Sequence, residues 1–442
     1  MKKVITYGTY DLFHYGHQRL LERAKELGDY LIVGVTADDF DKKRGKINVQ
    51  QSLMERIESV RATGLADEII VEEYEGQKID DIKRFGVDIF TVGSDWVGHF
   101  DYLKEYCDVI YLERTKGVSS SDLRSEKRGI NLGLVGEGNV LKKFYDESKF
   151  VNGIEVNAIL VHNQIEKESY KNQELMLTDD FDKLLSIVDA VFIISHPSKH
   201  YSHIKKALTN GKHVLCESPI ALNECDFNEL KQLADEKNLI LMDSIKTAYS
   251  TAYNRLLLLL KGGNIGDIYS VDATCTSLRD YDDNSWNSIT SWAPTALLPI
   301  FQILGINYNN KTINSLTLDE KQNFDLFTKI DFQYENAVAS VKVANSVKSE
   351  GELIISGTEG YAYVPAPWWK TDYFELRYEN QEENKKYFYQ LEGEGIRYEL
   401  VAFAKSIELG RNNAYIEYDV SKAICKIIED FENKDVNFLK KY

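Results

Sequence analysis

Short apolar runs separated by helix-length amphipathic stretches fill the first 125 residues, and this alternation limits the fold more than any other feature of the chain. The runs are Val4–Tyr7, Tyr30–Thr36, Glu68–Glu72, Ile89–Gly93 and Val109–Leu112. Helical patterns lie between them, from about His17 to Leu27, Leu53 to Ala62 and Ile79 to Phe85. Strands joined through helices pair in parallel and present ligands at their carboxyl ends.

A second alternation starts abruptly after Arg128, with strands at Asn131–Val135, Glu155–Val161, Ala190–Ile194, His213–Glu217 and Leu239–Asp243. From about Gly266 the pattern changes to longer alternating strands, at Ile268–Thr276, Phe327–Gln333, Ala337–Val343, Glu352–Gly357 and Tyr387–Leu391. Helix returns over roughly Arg397–Leu409 and Val420–Asn433. The expected class is therefore α/β, in three parts. A Rossmann-like domain spans 1–128, a dinucleotide-type Rossmann domain 129–250, and an α+β domain built on an open mixed or antiparallel sheet 251–442. The junction near Ser125–Ile130 is only a few residues long, so the parts are expected to pack rather than swing freely.

With 442 residues, 43% apolar and 28% charged, the chain reads as globular. Its formal charge of −17 argues against an extended nucleic-acid or anionic-membrane surface. The longest aliphatic stretch, Leu256–Leu260, is far too short to span a bilayer, and no secretory apolar region follows Lys2 and Lys3. The five cysteines are scattered without metal or disulfide spacing, so the expected home is the cytoplasm.

The stretch 8-GTYDLFHYGHQRLLERAK-25 places two of the eight histidines, His14 and His17, one helical turn apart where a helix should begin. A strand-to-helix loop exposes unpaired N–H groups that suit phosphate oxygens. Gly8 allows close approach to a ligand, Thr9 adds a hydroxyl, and two imidazoles could donate to charge developing on phosphorus. The competing reading is a pair of structural histidines at a helix cap, with Asp11 as a turn residue.

Two further segments follow, 93-GSDWVGHFDYL-103 and 114-RTKGVSSSDLR-124. In the latter, Arg114 is a bidentate phosphate donor and Ser119–Ser121 offer hydroxyls at another helix start. Together the three segments resemble the His-x-Gly-His nucleotidyltransferase superfamily, and more closely its glycerol-3-phosphate cytidylyltransferases, over about residues 1–125. The resemblance implies that His14 and His17 hold the triphosphate and stabilise the transition state, beside Gly8, Thr9, Tyr10 and Asp11. Lys46, from 42-KKRGK-46, would close over the phosphates with Lys43 or Arg44 assisting; a solvated basic loop is the alternative for that run. Arg56, Asp95, Trp96, Arg114, Thr115, Ser119 and Ser120 would handle the cytidine and the acceptor. The implied reaction is attack of a polyol phosphate on the α-phosphorus of CTP, giving a CDP-polyol and pyrophosphate, with Mg²⁺ arriving on the nucleotide and no protein metal site. The products of such enzymes feed phosphate-linked surface polymers such as teichoic acid or capsule. One departure concerns the acceptor: Gly64 stands where the family usually has an arginine, with Arg61 one turn earlier.

In the second half, 131-NLGLVGEGN-139 sets Gly133, Gly136 and Gly138 at a strand-to-helix turn, and 197-PSKHYSHIKKALTNGKHVLCESPIAL-222 follows. This half resembles the Gfo/Idh/MocA oxidoreductases over about residues 131–435, which implies NAD(P) near those glycines, His200 and Glu217. The family's Glu-Lys-Pro lysine is Ser218 here, its later Asp and His are absent near Thr295 and Leu298, and the ribose-binding acid is missing from 161-VHNQ-164. Serine cannot supply the cation that steadies hydride transfer. Lys246 could replace it, or be a surface lysine; His196, His200 and His203 lie close in sequence without forming a metal signature. The expectation is a degenerate oxidoreductase domain serving oligomerisation, acceptor binding or regulation, and both resemblances imply a homo-oligomer. The alternatives are an active reductase that makes the polyol phosphate, and a binding or regulatory protein with both halves inactive.

Overall fold

The computed structural model describes residues 1–37, 49, 51, 53–74, 76–113, 129–136, 139–151, 153–161, 170, 175–278, 286–317, 325–389, 391–412 and 414–439. The chain divides into two compact units, the first comprising Met1–Gly129 with Phe150–Gly153 and the second the remainder.

In the first unit, β1 (Lys3–Gly8), α1 (Tyr15–Glu26), β2 (Tyr30–Thr36), α2 (Leu53–Arg61), β3 (Glu68–Glu72), α3 (Gln77–Phe85), β4 (Ile89–Gly93) and β5 (Asp108–Leu112) alternate along the chain. The sheet order is β3-β2-β1-β4-β5, with every neighbouring pair parallel. Successive side chains of a strand face opposite ways. Val4 accordingly joins Leu21, Leu31, Val33, Ile57 and Val60 on one face. Ile5 joins Ile32, Ile82, Phe90, Phe100 and Leu103 on the other. The strand order reverses between β1 and β4, the point at which such sheets bind ligands. Helix α1 begins at Tyr15, earlier than periodicity indicates, because His14 caps it.

The second unit opens with β6 (Ile130–Gly136), α4 (Asn139–Ser148), β7 (Ile154–Leu160), β8 (Met176–Thr178), α5 (Phe181–Ile187), β9 (Ala190–Ile194), α6 (Pro197–Thr209), β10 (His213–Glu217), α7 (Glu224–Glu236), β11 (Leu241–Ser244) and α8 (Thr251–Lys261). Its parallel sheet has the order β11-β10-β9-β6-β7-β8. A nine-stranded mixed sheet follows, built from β12 (Ile268–Thr276), β13 (Asn310–Thr317), β14 (Asp325–Gln333), β15 (Val338–Ala344), β16 (Leu353–Gly357), β17 (Tyr361–Val364), β18 (Tyr373–Arg377), β19 (Lys385–Phe388) and β20 (Asn437–Leu439). Its order is β19-β18-β17-β16-β12-β15-β14-β13-β20. Helix α9 (Ser288–Leu304) packs on β12, β14 and β15, and α10 (Ile396–Leu409) and α11 (Tyr418–Glu432) lie between β19 and β20 in the chain. The fold is the expected α/β arrangement of two Rossmann-like sheets followed by a mixed sheet. No helix among the described residues is long and apolar enough to cross a membrane.

Candidate active site

β1 delivers the chain to the strand-order switch at Gly8, and the loop that follows is tightly folded. Tyr10 and Leu12 both take left-handed backbone conformations, with φ of 54° and 48°. The Tyr10 ring lies on Gly8 so closely that a Cβ there would come within 3.0 Å of Tyr10 Cζ. A side chain at position 8 would therefore require the Tyr10 ring to give by a few tenths of an ångström. Burial raises the Tyr10 phenol well above its ordinary pKa, so it stays neutral and acts as packing.

His14 ends the loop as the N-cap of α1, its Nδ1 accepting from the Gly16 N–H at 3.0 Å. That acceptor role leaves Nε2 to carry the ring proton. One turn on, His17 stacks against it, with ring centroids 3.9 Å apart and planes 18° from parallel. Tyr10 and Phe13 flank His17, each with its ring centroid 5.5 Å away. The first turn of α1 carries no acidic side chain to offset the positive end of its dipole. Two imidazoles at a helix N-terminus make a site suited to anionic oxygens.

The other expected residues fall into three groups. Thr9 and Asp11 are buried in the loop, where the Thr9 carbonyl accepts from Arg56 Nη1 at 2.7 Å and Asp11 Oδ1 accepts from the Gln51 N–H at 3.0 Å. Arg56 is fully buried; it also donates to the Thr36 carbonyl at 2.8 Å and the Gln51 carbonyl at 3.2 Å. Its guanidinium is thus directed at main-chain carbonyls, in a position that holds the loop. Trp96 sits in the turn Ser94–Trp96 directly after β4, 38% exposed, with Phe100 and His99 beside it. Lys43, Arg44, Lys46, Arg114, Thr115, Ser119, Ser120 and the side chain of Asp95 lie outside the described residues. Gly64 forms a left-handed turn, φ 66°, after α2, and Arg61 is exposed.

Two features of this neighbourhood escaped the sequence reading. Gln51 bonds both Asp11 and Leu12, and no periodicity marks it, because it stands in a connection. Glu72, at the end of β3, is buried between the Thr36 hydroxyl (2.8 Å) and the Lys78 ammonium, which also lies over the rings of Tyr7 (4.7 Å) and Phe100 (5.6 Å). Lys78 precedes buried Ile82 by four residues, a spacing that places it on the inward face of α3.

In the second unit, a Cβ on Gly136 would lie 2.8 Å from the Ile194 carbonyl, and one on Gly133 would lie 2.6 Å from Leu184 Cδ2. Both glycines thus serve close packing at the end and middle of β6, while Gly138 lies outside the described residues. His200 is fully buried, with Nδ1 2.7 Å from the Pro219 carbonyl and Nε2 2.6 Å from the Ser195 carbonyl. Burial pulls its pKa down to about 4 against those carbonyls, and the ring ties β9 to the segment after β10 with neither nitrogen turned toward a ligand. His196 caps α6 and His203 bonds the Ser195 hydroxyl at 3.1 Å. Ser218, at the position of the family's lysine, donates to Asp243 at 3.3 Å, and Ser244 donates to Glu399 of α10 at 2.7 Å. Burial pushes Asp243 up to about 6 and Glu399 up to about 8. Around Glu399, Lys246 favours the charged form, while Glu217 and Asp243 oppose it.

The relatives of the first unit place the chain among the nucleotidyltransferases. Residues 5–126 match the cytidylyltransferase-like family model, and residues 130–244 match that of the oxidoreductase family with an NAD-binding Rossmann fold. The glycerol-3-phosphate cytidylyltransferase of Bacillus spizizenii is 52% identical over 126 residues, 28% of this chain and 97% of that protein. That of Staphylococcus aureus is 49% identical over 132 residues, 29% of this chain and 97% of that protein. The chain therefore belongs to the cytidylyltransferase-like family, with a Gfo/Idh/MocA oxidoreductase domain fused behind the transferase domain. A 3-ketoreductase from Actinomadura kijaniata superposes with a TM-score of 0.62 over 71% of this chain and 100% of its own, at 15% identity. A UDP-N-acetylglucosamine 3-dehydrogenase from Acidithiobacillus ferrooxidans gives 0.58 over 68% of this chain and 95% of its own, also at 15%. These two likenesses establish the fold of the second unit.

Proposed function

We propose that the first unit transfers the cytidylyl group of CTP to a small polyol phosphate, glycerol 3-phosphate by default, releasing pyrophosphate. The observation that carries this reading is the His14–His17 stack at the N-terminus of α1, set at the strand-order switch. An acceptor phosphate oxygen attacks the α-phosphorus as the bond to the pyrophosphate oxygen breaks. Negative charge builds on the leaving pyrophosphate, and His14 Nε2–H and the His17 ring meet it with no reorganisation during the step. Trp96 offers an indole face to the base. Lys46, Arg114, Thr115, Ser119 and Ser120 would complete the contacts to the nucleotide and the acceptor in this scheme, and Mg²⁺, when bound with the triphosphate, would supply further charge neutralisation. The reaction is tested by pyrophosphate release with CTP against ATP, using glycerol 3-phosphate, glycerol 2-phosphate and alditol phosphates as acceptors. Release with CTP and one acceptor is expected; silence with every acceptor would refute the assignment.

For the second unit we infer a supporting role in place of the family's lysine-dependent chemistry, because Ser218 is buried against Asp243 where a cation would be required. NAD(P), when bound, would supply a hydride; the parallel sheet and Gly136 fit such a site. A second reading, an active reductase, draws on Lys246 beside the neutral Glu399 carboxyl. Oxidation of NAD(P)H by a keto-polyol phosphate would decide for that reading.

A further inference from the structure

Two non-glycine residues in left-handed conformations, Tyr10 and Leu12, stand within four residues of His14. Such conformations persist only where the surroundings over-determine them. Gln51 is the chief of those surroundings. Its side-chain Oε1 accepts from the Leu12 N–H at 2.8 Å, its own N–H donates to Asp11 Oδ1 at 3.0 Å, and its carbonyl accepts from Arg56 Nε at 3.2 Å. Arg56 reaches past it to the Thr9 carbonyl. The loop is thus gripped at positions 9, 11 and 12. Tyr10, held between them, packs edge-on against the His17 ring at 5.5 Å. In the sequence Gln51 follows Lys46 by five residues.

We infer that Gln51 is a positioning residue for nucleotidyl transfer: through Leu12 and Asp11 it fixes the loop that aligns His14 and His17. This rests on the reading that the histidine pair serves the transfer. The bonds to Asp11 and Arg56 use the main chain of Gln51, so the side-chain bond to Leu12 is the part that the substitutions below isolate. Gln51→Met keeps the length and removes the acceptor; Gln51→Glu keeps the acceptor.

Steady-state kinetics of the full chain, with CTP and the acceptor, should show kcat falling about 10- to 100-fold in Gln51→Met while KM for CTP stays within about threefold. Gln51→Glu should recover most of that loss. The imidazole NMR signals of His14 and His17 should move in Gln51→Met and return toward wild type in Gln51→Glu. An unchanged kcat in Gln51→Met would overturn the inference, as would unmoved ring signals. Loss of thermal stability shared equally by both variants, with kcat lost in proportion, would reduce Gln51 to a structural role and also overturn it. A wild-type chain without transferase activity would refute the transfer reading instead, and the ring signals would still decide whether Gln51 sets the pair.

Discussion

His14 and His17 stack nearly face to face, 3.9 Å between ring centroids, yet only His14 has a capping duty in α1. The two positions therefore separate function from folding. Replacing His14 removes a helix cap as well as a ring, a loss of about 1 kcal/mol in stability before any chemistry is considered. Replacing His17 takes away a ring inside the helix that lies on Tyr10 and Phe13. His17→Ala is expected to lower kcat for pyrophosphate release about 100- to 1000-fold, the scale of losing a preorganised donor, with a small change in melting temperature. Near-wild-type turnover in that variant would remove His17 from the reaction.

Arg56 gives the opposite forecast. Fully buried, it donates to the carbonyls of Thr9, Thr36 and Gln51. Arg56→Met would strip donors from three carbonyls, at about 1–3 kcal/mol for each one left without a partner. Its first effect should be on folding: circular dichroism melts should show the first unit unfolding several degrees lower, with activity lost in step. A variant that keeps its melting temperature but no longer binds CTP would mean that the guanidinium reads the nucleotide after all.

The sequence carried the strand–helix alternation plainly, because the three central strands of the first unit, β1, β2 and β4, are runs such as Tyr30–Thr36, buried on both faces. It carried His14 and His17 for the same reason: they follow a strand end and precede a periodic helix. What stayed hidden depends on contacts across the chain. Arg56 looks like a binding arginine until its carbonyl partners, up to 47 residues away, are known. Helix α9 holds Pro294 and Pro299, residues that ordinarily disfavour a helix interior, yet Ile289, Leu297, Leu298 and Phe301 bury it against the mixed sheet. Tertiary burial overrides the proline signal there.

Gly136 and Gly133 look alike in sequence and differ in what surrounds them. An alanine at 136 would press its Cβ on the Ile194 main-chain carbonyl at 2.8 Å, which cannot move without disturbing β9. At 133 the obstacle is Leu184 Cδ2, the far end of a flexible side chain. Gly136→Ala should destabilise the second unit by about 1–3 kcal/mol and Gly133→Ala by clearly less. Urea unfolding followed by fluorescence of that unit would check the ranking, and the reverse order would show that the β6–β9 contact is looser than the geometry implies.

The buried carboxyl of Glu399 makes the second unit's stability depend on pH in a stated direction. Its folded pKa, about 8, lies above the ordinary 4.5, so the native state holds a proton that the unfolded chain gives up. The corresponding stability is fully present below about pH 4.5 and is lost as pH rises through 8, at ~1.4 kcal/mol per pH unit across that window. Asp243, raised from 3.8 to about 6, acts in the same sense over a lower range. Glu399→Gln keeps an acceptor for the Ser244 hydroxyl but cannot ionise, so unfolding midpoints measured at pH 5, 7 and 9 should fall less steeply in the variant than in wild type. Equal slopes in the two proteins would mean that Glu399 is already charged at neutral pH, and that Lys246 holds it so.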